Sequence, residues 1–104
     1  MSEKEIDLIN KDELKQQMDR NDLEIIDVRE DDEVAEGMIP GAQHIKLGDI
    51  PLRASELPKD KEYVMVCRSG RRSNNAGAYL EEQGYNVKNL EGGMLDWDGD
   101  VSKP

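Results

Sequence analysis

The sequence of 104 residues predicts one α/β domain, in which helices flank both faces of a small, mainly parallel sheet. Compact apolar runs such as EIIDV and YVMVC have the length and composition of buried strands. Segments with helical spacing lie between these runs, and glycines and prolines mark the boundaries. Strands that alternate with helices form parallel β-α-β units, and this alternation is the basis of the predicted fold.

The first half of the chain is predicted to contain three strands and two helices. The strands are predicted at residues 5–9, 24–28 and 42–45, and the helices at about 11–19 and within 29–37. Asn10 is placed to cap the first helix, because Glu13 follows three residues later. Leu14 and Met18 then share one helical face, and Gly37 is predicted to end the second helix.

The second half is predicted to contain a connection, two strands, one long helix and a short helical piece. The predicted bounds are 48–60 for the connection, which has room for one helical turn, 63–66 and 86–90 for the strands, and 94–97 for the short piece. The long helix is predicted from Ser73 to a stop at Gly84, since Ala76, Tyr79 and Leu80 have helical spacing. Residues 1–3 and 101–104 are expected to fray, so that the core of this single domain, 1–104, covers about residues 5–98.

The composition excludes several classes of function. With 24 acidic and 14 basic residues, the chain has a formal net charge of −10 and is expected to be repelled by nucleic acid and by anionic membranes. One cysteine and one histidine are too few for an internal disulfide or a structural zinc site, so no metal is predicted. Without a signal peptide or a membrane-spanning apolar run, the expected location is the cytoplasm, where a lone thiol stays reduced.

The segment with the most distinctive chemistry follows the YVMVC strand. Cys67 stands at the end of this strand, and ligands of open parallel sheets bind beyond such ends. Gly70 permits positive φ, so that backbone N–H groups can point inward and bind an anion, and the next helix adds its positive end. Together with Arg68, Arg71 and Arg72, this environment is expected to lower the pKa of the thiol and to hold a small anionic substrate over it.

The motifs resemble those of the rhodanese family of sulfurtransferases. CRSGRRS (67–73) is similar to the active-site loop of that family, IIDVRE (25–30) and GMIPGA (37–42) to two upstream signatures, and GYNVKNLEGGMLDW (84–97) to the closing segment. The resemblance covers about residues 23–97, and Val34 and Met38 depart from the common pattern. On these motifs the chain is identified as a single-domain rhodanese with a rhodanese-like fold.

The resemblance implies that Cys67 carries sulfur as a persulfide. The thiolate takes a sulfane sulfur from thiosulfate or a persulfide donor and gives it to a thiol or to cyanide, and no cofactor is needed. The predicted substrate-binding residues are Arg68, Ser69, Gly70, Arg71, Arg72 and Ser73. Arg68 and Arg71 are the candidates for donor contact, whereas Arg72 and Ser73 can equally brace the loop, with Ser73 as the helix cap.

Two alternatives remain open at this stage. A cysteine phosphatase or arsenate reductase shares the arrangement of cysteine, loop and helix, but its arginine lies six residues after the cysteine, where this chain has Ser73. A persulfide carrier or regulatory module that acts with a protein donor or acceptor is the second alternative. The sequence does not separate such a carrier from a thiosulfate enzyme.

Three further features near the site are assigned structural roles. Asp27 and Arg29 are predicted to form a pair that ties their loop to its neighbours, because residues i and i+2 of a strand face one way. His44 has no obvious acid-base partner in sequence and is predicted to be a packing residue. The acidic run 30–33 is predicted to be a solvated first helical turn.

Overall fold

Within residues 4–104, the apolar runs of the sequence form five parallel strands in one sheet. The strands of this computed structural model are β1 (Leu8–Ile9), β2 (Leu23–Asp27), β3 (Gln43–His44), β4 (Glu62–Val66) and β5 (Asn86–Leu90). Their order across the sheet is β1-β5-β4-β2-β3, and all pairs are parallel. The predicted α/β class is confirmed. The structure describes residues 4–104, so the fraying predicted for residues 1–3 lies outside the described residues.

Helices cover both faces of the sheet, as predicted. They are α1 (Lys11–Gln17), α2 (Asp31–Ala35), α3 (Ile50–Arg53), α4 (Arg71–Glu82) and α5 (Gly93–Asp96). Successive residues of a strand point to opposite faces, and β4 shows this with Val64 and Met65. Val64 lies in a buried cluster with Leu14 of α1 and Met94 of α5, whereas Met65 lies in a second cluster with Leu80 of α4.

The central position of β4 brings its carboxyl end beside that of β2. Asp27 pairs in register with Val66, and the N–H of Val28 donates to the carbonyl oxygen of Val66 at 2.9 Å. The next residues, Arg29 after β2 and Cys67 after β4, therefore emerge at the same edge of the sheet. This is the edge at which open parallel sheets bind ligands.

A pair of reciprocal hydrogen bonds starts α1 at the predicted residue. Asn10 Oδ1 accepts from the N–H of Glu13 at 2.8 Å, and Glu13 Oε1 accepts from the N–H of Asn10 at 3.0 Å. This capping box confirms the prediction for Asn10. The helix ends at Gln17, earlier than predicted, because the N–H of Arg20 turns back to the carbonyl oxygen of Gln17 at 3.0 Å.

The start of α4 differs from the prediction. Gly70, with φ 107°, turns the chain directly into the helix, so the first helical residue is Arg71 and not Ser73. Ser73 therefore lies inside the first turn, where its hydroxyl faces the sulfur of Cys67. The prediction that Ser73 caps the helix is wrong.

Two other segments contain more structure than predicted. The connection at residues 48–60 includes α3 and a turn of 3₁₀ helix on each side of it. Near the C-terminus, Ser102 and Met38 exchange two backbone hydrogen bonds of 2.8 and 2.9 Å. The fraying predicted for residues 101–104 is thus wrong at Ser102. Within the described residues, no helix has the length and apolar character needed to cross a membrane.

Candidate active site

The carboxyl end of β4 places Cys67 in the loop that leads into α4. We call residues 67–73 the cysteine loop. Gly70 turns this loop at a positive φ that favours glycine, and its N–H donates to the Cys67 sulfur at 3.0 Å. The hydroxyl oxygen of Ser73 lies 3.2 Å from the same sulfur. A backbone donor and a side-chain donor therefore converge on one atom.

The carbonyl groups of the cysteine loop are bound on its outer side. The N–H of Met94 donates to the carbonyl oxygen of Cys67 at 2.9 Å. The N–H of Leu95 donates to the carbonyl oxygen of Arg68 at 3.0 Å. Gly93 makes this approach possible: a Cβ atom there would lie 2.5 Å from the Arg68 oxygen and 2.6 Å from the Cys67 oxygen, which only a glycine avoids. The start of α5 thus supports the cysteine loop from behind.

Two opposing effects set the pKa of the Cys67 thiol, which has no exposed surface. Burial raises the pKa, because it disfavours the charged form. Hydrogen bonds from the Ser73 hydroxyl and from the N–H groups of Ser73, Gly70 and Ser69 lower it by more, so the pKa lies below its usual value. The sequence predicted this direction from backbone N–H groups, the helix end and the loop arginines together. In the structure the causes that lower the pKa are hydrogen bonds from uncharged donors.

One of the three loop arginines is committed to an ion pair. Arg72 Nη1 and Nη2 donate to the two carboxylate oxygens of Glu33 at 2.7 and 2.8 Å and tie α4 to α2. The hydrogen bonds from Arg72 lower the pKa of Glu33 to about 2, although partial burial opposes this shift. The acidic run 30–33 was predicted to be solvated. This prediction is wrong at Glu33, which is only partly exposed. This ion pair is the kind of contact expected of a bracing residue, which is one of the two roles predicted for Arg72.

The other two loop arginines are exposed. Neither Arg68 nor Arg71 makes an ion pair or a side-chain hydrogen bond with any of residues 4–104. Their charge is therefore available to an anion that approaches the cysteine loop. Arg71 also lines a cleft beside the first turn of α4, together with Asn74 and Leu8.

Asp27 and Arg29 form a buried ion pair at the end of β2. The Arg29 guanidinium donates to Asp27 at 2.9 to 3.1 Å and to the carbonyl oxygen of Gly37 at 2.8 Å. These contacts hold the segment between β2 and β3 against the sheet. His44 Nε2 lies 2.6 Å from the carbonyl oxygen of Arg29, so the histidine packs on the same segment.

Asn89 and Glu33 were not identified from the sequence. Asn89 lies on β5, is buried, and contacts both Ser73 and Gly70. A signal for it exists, because alternation along β5 places this polar residue on the same side as buried Val87. Glu33 gives no comparable signal, since its partner Arg72 is distant along the chain.

The fold and this site define a class of protein. A parallel α/β sheet presents a cysteine in a donor-lined loop, at the start of a helix and beside two exposed arginines. Residues 10–100 match the family model described as "Rhodanese-like domain". The chain therefore belongs to the rhodanese-like domain family, as the sequence motifs indicated.

Named relatives agree with this assignment. The "Putative sulfurtransferase YtwF" of Bacillus subtilis is 60% identical over 80 residues, which are 77% of this chain and 78% of that protein. The "Putative sulfur carrier protein YrkF" of the same organism is 44% identical over 87 residues, 82% of this chain and 47% of that protein. The crystal structure of a rhodanese-like domain protein from Staphylococcus aureus has a TM-score of 0.88 at 37% identity, covering 95% of this chain and 99% of that one. These similarities support a sulfurtransferase or sulfur-carrier role.

The pair of Glu33 and Arg72 predicts a dependence of stability on pH. The folded pKa of Glu33, about 2, is depressed from 4.5, so the pair stabilises the fold above about pH 4.5 and is progressively lost as the pH falls toward 2. After allowance for solvent screening, the unfolding free energy of the wild type should fall between pH 6 and 3 by about 1 kcal/mol more than that of Glu33→Gln. Urea unfolding at each pH measures the difference.

The matched control for this prediction is Glu24→Gln. Glu24 accepts from Lys61 at 2.9 Å on the surface of the sheet, away from the cysteine loop. This variant should keep the pH dependence of the wild type. If the unfolding free energies of Glu33→Gln and Glu24→Gln both fall with pH as steeply as that of the wild type, the pair of Glu33 and Arg72 is not the source of the pH dependence.

Proposed function

We propose that this protein is a sulfurtransferase that holds a transferable sulfur on Cys67 as a persulfide. The observation that carries the proposal is the convergence of the Gly70 N–H and the Ser73 hydroxyl on the Cys67 sulfur, at 3.0 and 3.2 Å. Donors in these positions stabilise an anionic sulfur. The whole chain, residues 1–104, acts as one domain in the cytoplasm, where a single thiol stays reduced.

The first step moves one sulfur atom from the donor to the enzyme. The Cys67 thiolate attacks the outer sulfur of thiosulfate and forms a new S–S bond. The sulfur–sulfur bond of thiosulfate breaks, its electron pair leaves on sulfite, and the enzyme becomes a persulfide anion. Cyanide or a thiolate then attacks the outer persulfide sulfur, and Cys67 leaves as a thiolate. Each step is a displacement at sulfur, so no cofactor is required.

Exposed cations account for the preference for an anionic donor. Arg68 and Arg71 have no ion-pair partner among residues 4–104, and they belong to the cysteine loop of a chain with net charge −10. An anion repelled by most of the surface is attracted here. Ser69, Gly70 and Ser73 supply donors to the sulfur, and Arg72 acts indirectly by bracing the loop against Glu33.

The burial of Cys67 places a condition on this mechanism. Since the residue has no exposed surface in this conformation, a donor reaches the sulfur only when the cysteine loop opens. Arg68 and Ser69 are exposed and make no side-chain hydrogen bond with the described part of the chain. Movement of these two side chains therefore breaks no hydrogen bond among residues 4–104.

The structure offers less support for phosphatase chemistry. The position six residues after the cysteine holds Ser73, which is buried with its hydroxyl against the sulfur and Asn89. Arg72, one residue earlier, donates both guanidinium nitrogens to Glu33. No guanidinium of the loop is thus held in position to grip two oxygens of a phosphate.

A persulfide carrier is the second candidate function, and one observation favours it. A relative of 44% identity is named a putative sulfur carrier protein, and this chain spans about half of its length. A carrier exchanges sulfur with a protein persulfide faster than with thiosulfate. Turnover measured with both donors under one set of conditions separates the two candidates.

The proposal predicts a covalent adduct on Cys67. Incubation with excess thiosulfate, followed by intact-mass measurement, should show the mass of one added sulfur atom, which cyanide then removes. The variant Cys67→Ser is the control and should gain nothing. An unchanged mass of the wild type would falsify the thiosulfate mechanism.

The proposal also predicts a specific role for Arg71. In Arg71→Ala the KM for thiosulfate should rise roughly five- to tenfold with little change in kcat, because the lost contact serves donor binding. Arg53→Ala is the matched control, since Arg53 pairs with Glu56 at 3.3 Å outside the cysteine loop. Steady-state kinetics with thiosulfate and cyanide measure both variants. Equal KM values for the two would remove Arg71 from the donor site.

A further inference from the structure

Asn89 lies behind the cysteine loop and is held in one orientation. Only 4% of its surface is exposed, and its Nδ2 donates to the carbonyl oxygen of Gly70 at 2.8 Å. A flipped amide would place an oxygen against that carbonyl oxygen, so this hydrogen bond fixes Oδ1 on the side of Ser73. Asn89 Oδ1 accordingly lies 2.5 Å from the hydroxyl oxygen of Ser73.

The Ser73 hydroxyl has one hydrogen and two acceptors within reach. The acceptors are the Cys67 sulfur at 3.2 Å and Asn89 Oδ1 at 2.5 Å. When the sulfur is protonated, the thiol donates to the hydroxyl oxygen and the hydroxyl donates to Oδ1, so every group is paired. When the sulfur is a thiolate, the hydroxyl has to rotate toward it, and Oδ1 is left facing an oxygen lone pair in a buried site.

We infer that Asn89 is a positioning residue of this site, which competes with the Cys67 sulfur for the hydroxyl hydrogen of Ser73 and so favours the protonated sulfur. The inference rests on the proposed role of Cys67. A thiolate loses nucleophilicity as its basicity falls, so the competition keeps the donors of the cysteine loop from stabilising the anion too strongly. Asn89 acts through Ser73, and it makes no hydrogen bond to Cys67 itself.

Charged groups also lie on the cysteine loop and on the elements next to it. They are Arg68, Arg71 and Arg72 on the cysteine loop, Glu33 on α2, Asp27 at the end of β2 with its partner Arg29, and Asp96 on α5. Arginines and carboxylates ordinarily keep their charge between about pH 6 and 9. Histidine is the residue type whose charge ordinarily changes in this range. The one histidine of the sequence, His44 on β3, contacts the carbonyl oxygen of Arg29. The variant His44→Gln therefore serves as a control in the titrations.

The test measures how much Ser73→Ala shifts the pKa of Cys67 in three backgrounds. The backgrounds are the wild type, Asn89→Leu and Asn89→Asp. Thiolate ultraviolet absorbance as a function of pH reports the titration directly, because the chain has one cysteine. This readout does not depend on sulfur transfer.

The expected shifts differ in a fixed order. In the wild type, Ser73→Ala raises the pKa of Cys67, because it removes a donor to the sulfur. In Asn89→Leu the competing acceptor is gone. Ser73→Ala should therefore raise the pKa of Cys67 by roughly half a unit to one unit more than it does in the wild type. In Asn89→Asp the carboxylate holds the hydroxyl hydrogen, so the shift is smaller than in the wild type.

Equal shifts in all three backgrounds would overturn the inference. A purely structural Asn89 changes the absolute pKa through its contact with Gly70, but it leaves the Ser73 shift the same in each background. If Asn89→Leu does not fold, the comparison of the wild type with Asn89→Asp decides the question alone. The two claims can fail separately. If the pKa shifts follow the expected order but the protein transfers no sulfur, the proposed function is contradicted and the role of Asn89 is supported.

Discussion

The orientation of the peptide groups in the cysteine loop is the constraint on which the site depends. The N–H of Gly70 faces the Cys67 sulfur, and the carbonyl oxygens on either side are bound by other parts of the chain. The start of α5 binds the carbonyls of Cys67 and Arg68, and Asn89 binds that of Gly70. If these partners were absent, carbonyl dipoles could turn inward and raise the free energy of an anionic sulfur. Residues distant in sequence from the cysteine therefore determine its chemistry.

The distribution of charge explains how an acidic protein could attract the anionic sulfur donor that we propose. The formal net charge is −10, but the basic residues of the cysteine loop have different functions. Arg72 neutralises Glu33 and fixes the first turn of α4 to α2. Arg68 and Arg71 are exposed at the mouth of the site. The paired arginine stabilises the loop, and the exposed arginines create a local positive potential.

The sheet, the position of Cys67 at a strand end and the turn at Gly70 could be predicted from the sequence. These features follow from local apolar runs and from the backbone conformations that glycine permits. The sequence was not sufficient for contacts between elements distant along the chain. Ser73 was predicted to cap α4, but the helix starts at Arg71, and the hydroxyl serves the sulfur instead. Asn89 was missed because its two partners belong to another element, and local pattern does not predict such pairings.

The central claim is that hydrogen-bond donors of the cysteine loop stabilise an ionised sulfur despite its burial. The most direct measurement is the titration of Cys67 in native protein and in urea-unfolded protein, read by thiolate absorbance and by the rate of alkylation with iodoacetamide. The account predicts a lower pKa in the native protein, and alkylation of the native protein without unfolding. A native pKa at or above that of the unfolded chain, or a thiol that reacts only after unfolding, would contradict it.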